Sequence, residues 1–161
     1  MKILLTLLFL TAWISMSASA DWGPLPLKSL VEHSDCIVVA EFISEDNRKV
    51  EGQRIDQEVT LKVTSIITGE TPEQIIVSGY EDPRMCKAQF IFPTTKSEKY
   101  LLFLQKRNKQ YSVLNGIFGA LTITGNKVNW FTDETQMQSM GERKPAGLEV
   151  AIKAIKHAIT P

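Results

Sequence analysis

Apolar and polar positions alternate most cleanly over residues 57–67 (QEVTLKVTSII). Val59, Leu61, Val63 and Ser65 fall on one side; Thr60, Lys62 and Thr64 fall on the other. A period of two places successive side chains on opposite faces of a strand, so this segment predicts a strand with one covered face. Residues 36–44 (CIVVAEFIS) are apolar at every position first and mixed later, which predicts a strand covered on both faces at its start. Further strands are predicted over 74–78 (QIIVS), 99–105 (KYLLFLQ) and 110–114 (QYSVL). Gly116 and Gly119 mark a bend. Residues 120–131 (ALTITGNKVNWF) then read as a hairpin turning at Gly125 and Asn126. Residues 45–52 and 68–73 are polar and turn-like, and 79–98 form a long connection.

Helical spacing occurs twice. Leu27, Leu30 and Val31 predict a short helix over 26–33, with Pro26 tolerated in its first turn. Leu148, Ile152, Ile155 and Ile159 recur at i, i+4, i+7 and i+11. They predict an amphipathic C-terminal helix over 147–160, with Lys153, Lys156 and His157 off the apolar stripe. The order is short helix, about five strands, hairpin, helix. Strands at this spacing predict a mainly β fold with flanking helices, an OB-like antiparallel barrel of five or more strands with a helix capping its mouth at each end.

The first twenty residues belong to a different pattern. Lys2 precedes the apolar run 3–14, and Ala18-Ser19-Ala20 supplies small residues, so a signal peptide is expected with cleavage between Ala20 and Asp21. The run is too short for a membrane span. The mature chain would then be 21–161, a single domain working outside the cytoplasm, periplasmic or secreted. Removing Lys2 from 18 basic residues leaves 17 against 18 acidic ones. Such a balanced chain has no electrostatic footprint for nucleic acid. Lys106, Arg107 and Lys109 form the densest basic cluster and read as a solvated hairpin turn.

Two cysteines, Cys36 and Cys86, suggest one disulfide in an oxidising compartment. A bridge closing that ~50-residue loop would stabilise the fold by about 4 kcal/mol on a chain-entropy argument. The alternative is that Cys36 is a small buried hydrophobe. The two histidines, His33 and His157, fall on separate helices with no partner at metal-ligand spacing. There is no glycine-rich phosphate loop and no nucleophile elbow. The sequence therefore nominates no catalytic residue, no metal site and no cofactor.

Several segments together resemble a family. Ser34-Asp35-Cys36 leads into the apolar strand Ile37-Val38-Val39-Ala40-Glu41-Phe42. The alternating strand ends Val63-Thr64-Ser65-Ile66-Ile67-Thr68-Gly69. Cys86 follows in a long loop, and then Glu98-Lys99-Tyr100-Leu101-Leu102-Phe103-Leu104. This pattern, over roughly residues 27–123, resembles the secreted bacterial proteins whose domain is similar to the inhibitory, netrin-like domain of tissue inhibitors of metalloproteinases. The resemblance implies an OB-type barrel. Animal members chelate the protease zinc through an N-terminal cysteine, whereas this mature chain would begin Asp21-Trp22-Gly23. The resemblance thus implies the fold without that inhibitory chemistry.

The functional expectation is a non-enzymatic, exported domain that binds another envelope or extracellular protein. The expected binding surface is Tyr80, Met85, Phe90, Ile91 and Phe92 in the long connection, together with Trp22. The competing structural reading folds Phe90 and Phe92 back over the barrel. Two rival functions stand beside it, ahead of a third, a hydrolase with an unrecognised site. One is protease inhibition by a loop. The other is an oligosaccharide or small-ligand module stacking on Trp22, Tyr80 and Trp130.

Overall fold

A computed structural model describes residues 25–49, 55–81, 92, 99–129 and 146–159. The leader, Trp22, Met85, Cys86, Phe90, Ile91 and Trp130 lie outside the described residues.

Helix α1 spans Leu27–Glu32. Pro26 caps it in extended geometry and accepts the first intrahelical bond, from Leu30 N–H at 2.9 Å. Past its end, Ser34 Oγ donates to the Leu30 carbonyl at 2.6 Å, which satisfies an acceptor left open at the helix terminus. Asp35 then docks the chain on the sheet. Its N–H donates to Leu104 O at 2.8 Å, and its carboxylate accepts the Lys106 N–H at 2.7 Å.

The strands are β1 Cys36–Lys49, β2 Ile55–Thr68, β3 Gln74–Glu81, β4 Lys99–Arg107, β5 Gln110–Val113, β6 Ala120–Thr124, β7 Lys127–Asn129 and β8 Ala146–Gly147. Helix α2, Leu148–Ile159, follows directly. Strand order is β1-β2-β3-β5-β4-β6-β7-β8, and β1 also pairs with β4. That extra pairing closes β1-β2-β3-β5-β4 into a ring, so the fold is an OB-like barrel with an added β6-β7-β8 wing. The pairings are antiparallel except β3–β5, which is parallel.

Strands run further than their apolar segments predict. β1 continues through the polar residues 45–49, because they pair with residues 55–59 of β2. β3 likewise takes in Gly79, Tyr80 and Glu81, which pair with Gln57, Asp56 and Ile55. The β1–β2 register slips at Ile37/Val38, Val39/Ala40 and Phe42/Ser44. Such bulges bend and twist long strands, as closing a barrel demands. They also break the alternation of β2: Val59 and Leu61 are buried, but Ser65 is exposed and Thr64 Oγ1 donates to Val39 O at 3.2 Å.

Turns follow the glycines where geometry requires them. Gly69 has φ +78°; a Cβ there would overlap the Asp35 carbonyl and lie 2.7 Å from Cys36 Cβ. Gly125 has φ +61° at the first position of the two-residue β6–β7 turn, the place where a hairpin favours glycine. Between β5 and β6 the chain makes one 3-10 turn, Gly116–Gly119.

Two apolar layers share the β1-β4 sheet. The barrel interior holds Cys36, Val38, Ala40, Val59, Leu61, Ile75, Val77, Phe92, Tyr100, Leu102, Leu104, Tyr111, Val113 and Ala120. The second layer holds the alternate residues Ile37, Val39, Leu101 and Phe103, with Leu121, Ile123 and Val128, beneath Leu30, Val31, Ala151 and Ile155 of the helices. The helices therefore do not cap the barrel mouths, contrary to expectation. They lie together on the outer face of β1, β4 and β6, because the apolar strip exposed by those strands' second face needs cover. The buried stripe of α2 is also shifted. Ala151 and Ile155 are buried, with Leu148 and Ala158 beside them, whereas Ile159 is exposed.

Candidate functional site

The ends of β1, β2 and β3 farthest from the helix layer form the best-defined polar site. Gln57 alternates with Val59 and Leu61, so β2 aims its amide inward with them. It is 1 % exposed and is the one polar residue in the core among the described residues. Its Oε1 accepts the Phe92 N–H at 2.6 Å, and its Nε2 donates to the Phe92 carbonyl at 3.1 Å. The side chain thus pairs with a backbone unit as a neighbouring strand would. Nε2 also donates to Glu45 Oε1 at 2.8 Å, which accepts Asn47 Nδ2 at 2.6 Å as well. A buried amide satisfied at both ends stabilises its surroundings; a half-satisfied one would not.

Phe92 is the point held by this clamp. It is fully buried, and its ring meets Tyr100 edge-on at a centroid distance of 4.8 Å. This corrects its assignment to the binding surface: Phe92 is a core residue, because β4 offers Tyr100 and β2 offers Gln57 to receive it. Tyr80 stands on β3 opposite Asp56 and is half-buried. Met85, Phe90, Ile91 and Trp22, the other residues of the expected surface, lie outside the described residues. Gln57 carried no signal that sequence reasoning used. Its inward register in the alternating strand was the clue to a buried polar group.

On the outer face of the same strands, Arg48 Nε contacts Asp46 Oδ2 at 3.1 Å and Arg48 Nη2 faces Glu58 Oε2 at 3.7 Å. Glu41, half-buried within β1 and paired with Lys99 of β4, meets Lys99 Nζ at 2.8 Å. That hydrogen bond and the lysine's charge hold the Glu41 carboxyl below its ordinary range.

Cys36 sits at the other end of β1 as a buried free thiol. Burial, reinforced by Asp35 and opposed by Lys106, pushes it up to about 11. A thiol so raised is a poor nucleophile at neutral pH. Cys86 lies outside the described residues, so the suggested bridge is not among the contacts described. His33 sits at the end of α1, its Nδ1–H donating to the Ser29 carbonyl at 2.8 Å, a local cap. His157 is exposed on α2. Lys106, Arg107 and Lys109 are exposed around the β4–β5 turn, as the hairpin reading expects. Among the described residues no group of three His, Cys, Asp or Glu side chains is placed to hold a metal ion. Among them, too, no helix is long and apolar enough to cross a membrane.

The sequence matches no protein-family model, and no curated protein matches it.

Proposed function

We propose that the mature chain is an exported, non-enzymatic OB-like domain that binds another envelope or extracellular protein through the segment 82–91. The supporting observation is the Gln57 clamp on Phe92. It fixes the downstream end of that segment to the barrel core, while β3 fixes the upstream end at Glu81. A segment rich in Met85, Phe90 and Ile91 is thus tethered at both ends to a rigid scaffold, the usual arrangement for a recognition loop. Tyr80 stands half-buried on β3, just before that segment in the chain.

The test is affinity capture from an envelope extract with mature protein beginning at Asp21. The control is the triple variant Met85→Ser/Phe90→Ser/Ile91→Ser. Phe92 is left intact, since replacing it would disturb the core. A partner captured by the parent and lost with the folded control, and then bound by purified protein in calorimetry, is the expected result. Capture that survives the triple variant overturns the loop as the binding surface. A metalloprotease as the partner would favour the rival reading, protease inhibition by a loop. No capture, together with a tryptophan fluorescence change on a glycan, would favour the ligand module instead.

A further inference from the structure

The ring of five strands is closed unevenly. β1 and β2 pair from Ile37–Thr68 to Lys49–Ile55, and β2 and β3 pair from Ile55–Glu81 to Lys62–Gln74. β1 and β4 pair from Cys36–Leu104 to Glu41–Lys99. β4 and β5 share their hairpin from Leu104–Val113 to Arg107–Gln110. Among the described residues β3 and β5 meet only at Val77–Tyr111 and Ser78–Ser112, and they do so in the parallel sense. Parallel pairing is slightly weaker per residue than antiparallel. The ring is therefore most thinly bonded at this seam.

A side chain reinforces the seam from outside. Gln110, at the start of β5, accepts a hydrogen bond from Ser78 Oγ on β3 at 2.7 Å. Its Nε2 donates to Glu58 Oε1 on β2 at 2.8 Å. Glu58 leads on through Arg48 to Asp46 on β1. One amide thus ties β5 across two strands and into a polar chain that spans the face. Behind the seam lie Val77, Tyr111 and Val113 of the barrel interior. Burial raises the Tyr111 phenol above its ordinary range.

We propose that the β3–β5 seam is the gate at which this barrel opens locally, and that the Gln110 side chain is its latch. Proteins open first where the fewest hydrogen bonds must break. Opening here parts two residue pairs and the Gln110 bonds, and it leaves the β1–β2, β2–β3 and β1–β4 ladders whole. It gives solvent and small solutes a side entrance to the interior around Tyr111.

The experiment is amide hydrogen exchange on the mature protein, resolved by residue, for the parent, Gln110→Ala and Gln110→Glu. In the parent, those amides of Val77, Ser78, Tyr111 and Ser112 whose N–H points across the seam should exchange faster than those of Val38, Val39 and Leu102. Gln110→Ala should accelerate the seam amides roughly ten-fold, the loss expected for removed side-chain hydrogen bonds. Gln110→Glu should accelerate them further, because it sets a carboxylate against Glu58. The β1 and β4 amides should keep their parental rates. Seam amides as slow as the β1–β4 ladder in the parent would overturn the proposal. So would a uniform acceleration of all amides in the variants. Should Gln110→Ala not fold, Ser78→Ala removes one of the two bonds and is read against the same reference amides.

Discussion

β4 and β3 are neighbours of the same short strand, yet they are built on opposite rules. In β4, Tyr100, Leu102 and Leu104 face the barrel while Leu101 and Phe103 face the helices, and all five are fully buried. In β3, Ile75 and Val77 are buried, but the intervening Ile76 is 37 % exposed. One strand is roofed on both faces and the other on one. The difference shows that an apolar run does not by itself report two covered faces: Ile75-Ile76-Val77 is as apolar as β4, yet its middle residue meets no core. The β1-β4-β6 sheet is clasped between two cores, and the β2-β3 face carries polar networks open to solvent.

The comparison can be broken most severely on the covered side. Phe103→Ala empties a site between β4 and the helices, and should lower unfolding free energy by about 3–5 kcal/mol in urea titrations. Ile76→Thr on the uncovered side is the counterpart at the small end of the series. Between them stands Gly69→Ala, which adds a Cβ against Asp35 O and Cys36 at a positive φ. Strain of that kind should cost at least about 2 kcal/mol, seen as an earlier thermal midpoint. A loss below that would mean the β2–β3 turn yields easily.

Gln57→Leu sharpens the contrast from within. It removes both Gln57 hydrogen bonds to Phe92 inside the barrel, and should cost roughly 1–3 kcal/mol. An unchanged midpoint would show that Phe92 finds other partners and that the clamp does not anchor the segment before it. The pH response of Cys36 should be smaller. In reduced protein the folded thiol lies at about 11, above an ordinary value of 9.0. The neutral form is therefore favoured by folding. Its contribution is complete below pH 9 and declines as pH rises towards 11, because the unfolded chain releases this proton first. The melting temperature of reduced parent should fall more steeply over that window than that of Cys36→Ser. The smallest effect closes the series: Ile76→Thr should stay within about 0.5 kcal/mol of the parent.

The fold was legible wherever one residue's environment repeats along a strand. Val59 and Leu61 declared the inward face of β2, and Gly125 declared the β6–β7 turn. The candidate site was less legible. Tyr80 and Phe92 look alike in sequence, as aromatic residues in a long polar connection. One is on a strand edge and the other is in the core, because Phe92 is received by Gln57 and Tyr100, which lie 35 and 8 positions away. The α2 stripe was half legible for a similar reason. A 3.6-residue period admits both Leu148-Ile152-Ile155 and Leu148-Ala151-Ile155, and only the sheet beneath selects the second.

By itself, the sequence determined the local choices: where strands and helices begin, which residues alternate, and where a glycine must turn the chain. Those depend on backbone sterics and on nearest neighbours. It also predicted a barrel, since strands recur at regular spacing with turn signals between them. Tertiary structure alone decided the rest. It placed both helices on one outer face, extended β1 and β3 through polar residues by pairing them, buried Gln57 and Phe92 together, and left the ring thinly closed between β3 and β5. Each of those outcomes turns on partners distant in sequence, whose hydrogen bonds and covered area exist only once the chain has folded around them.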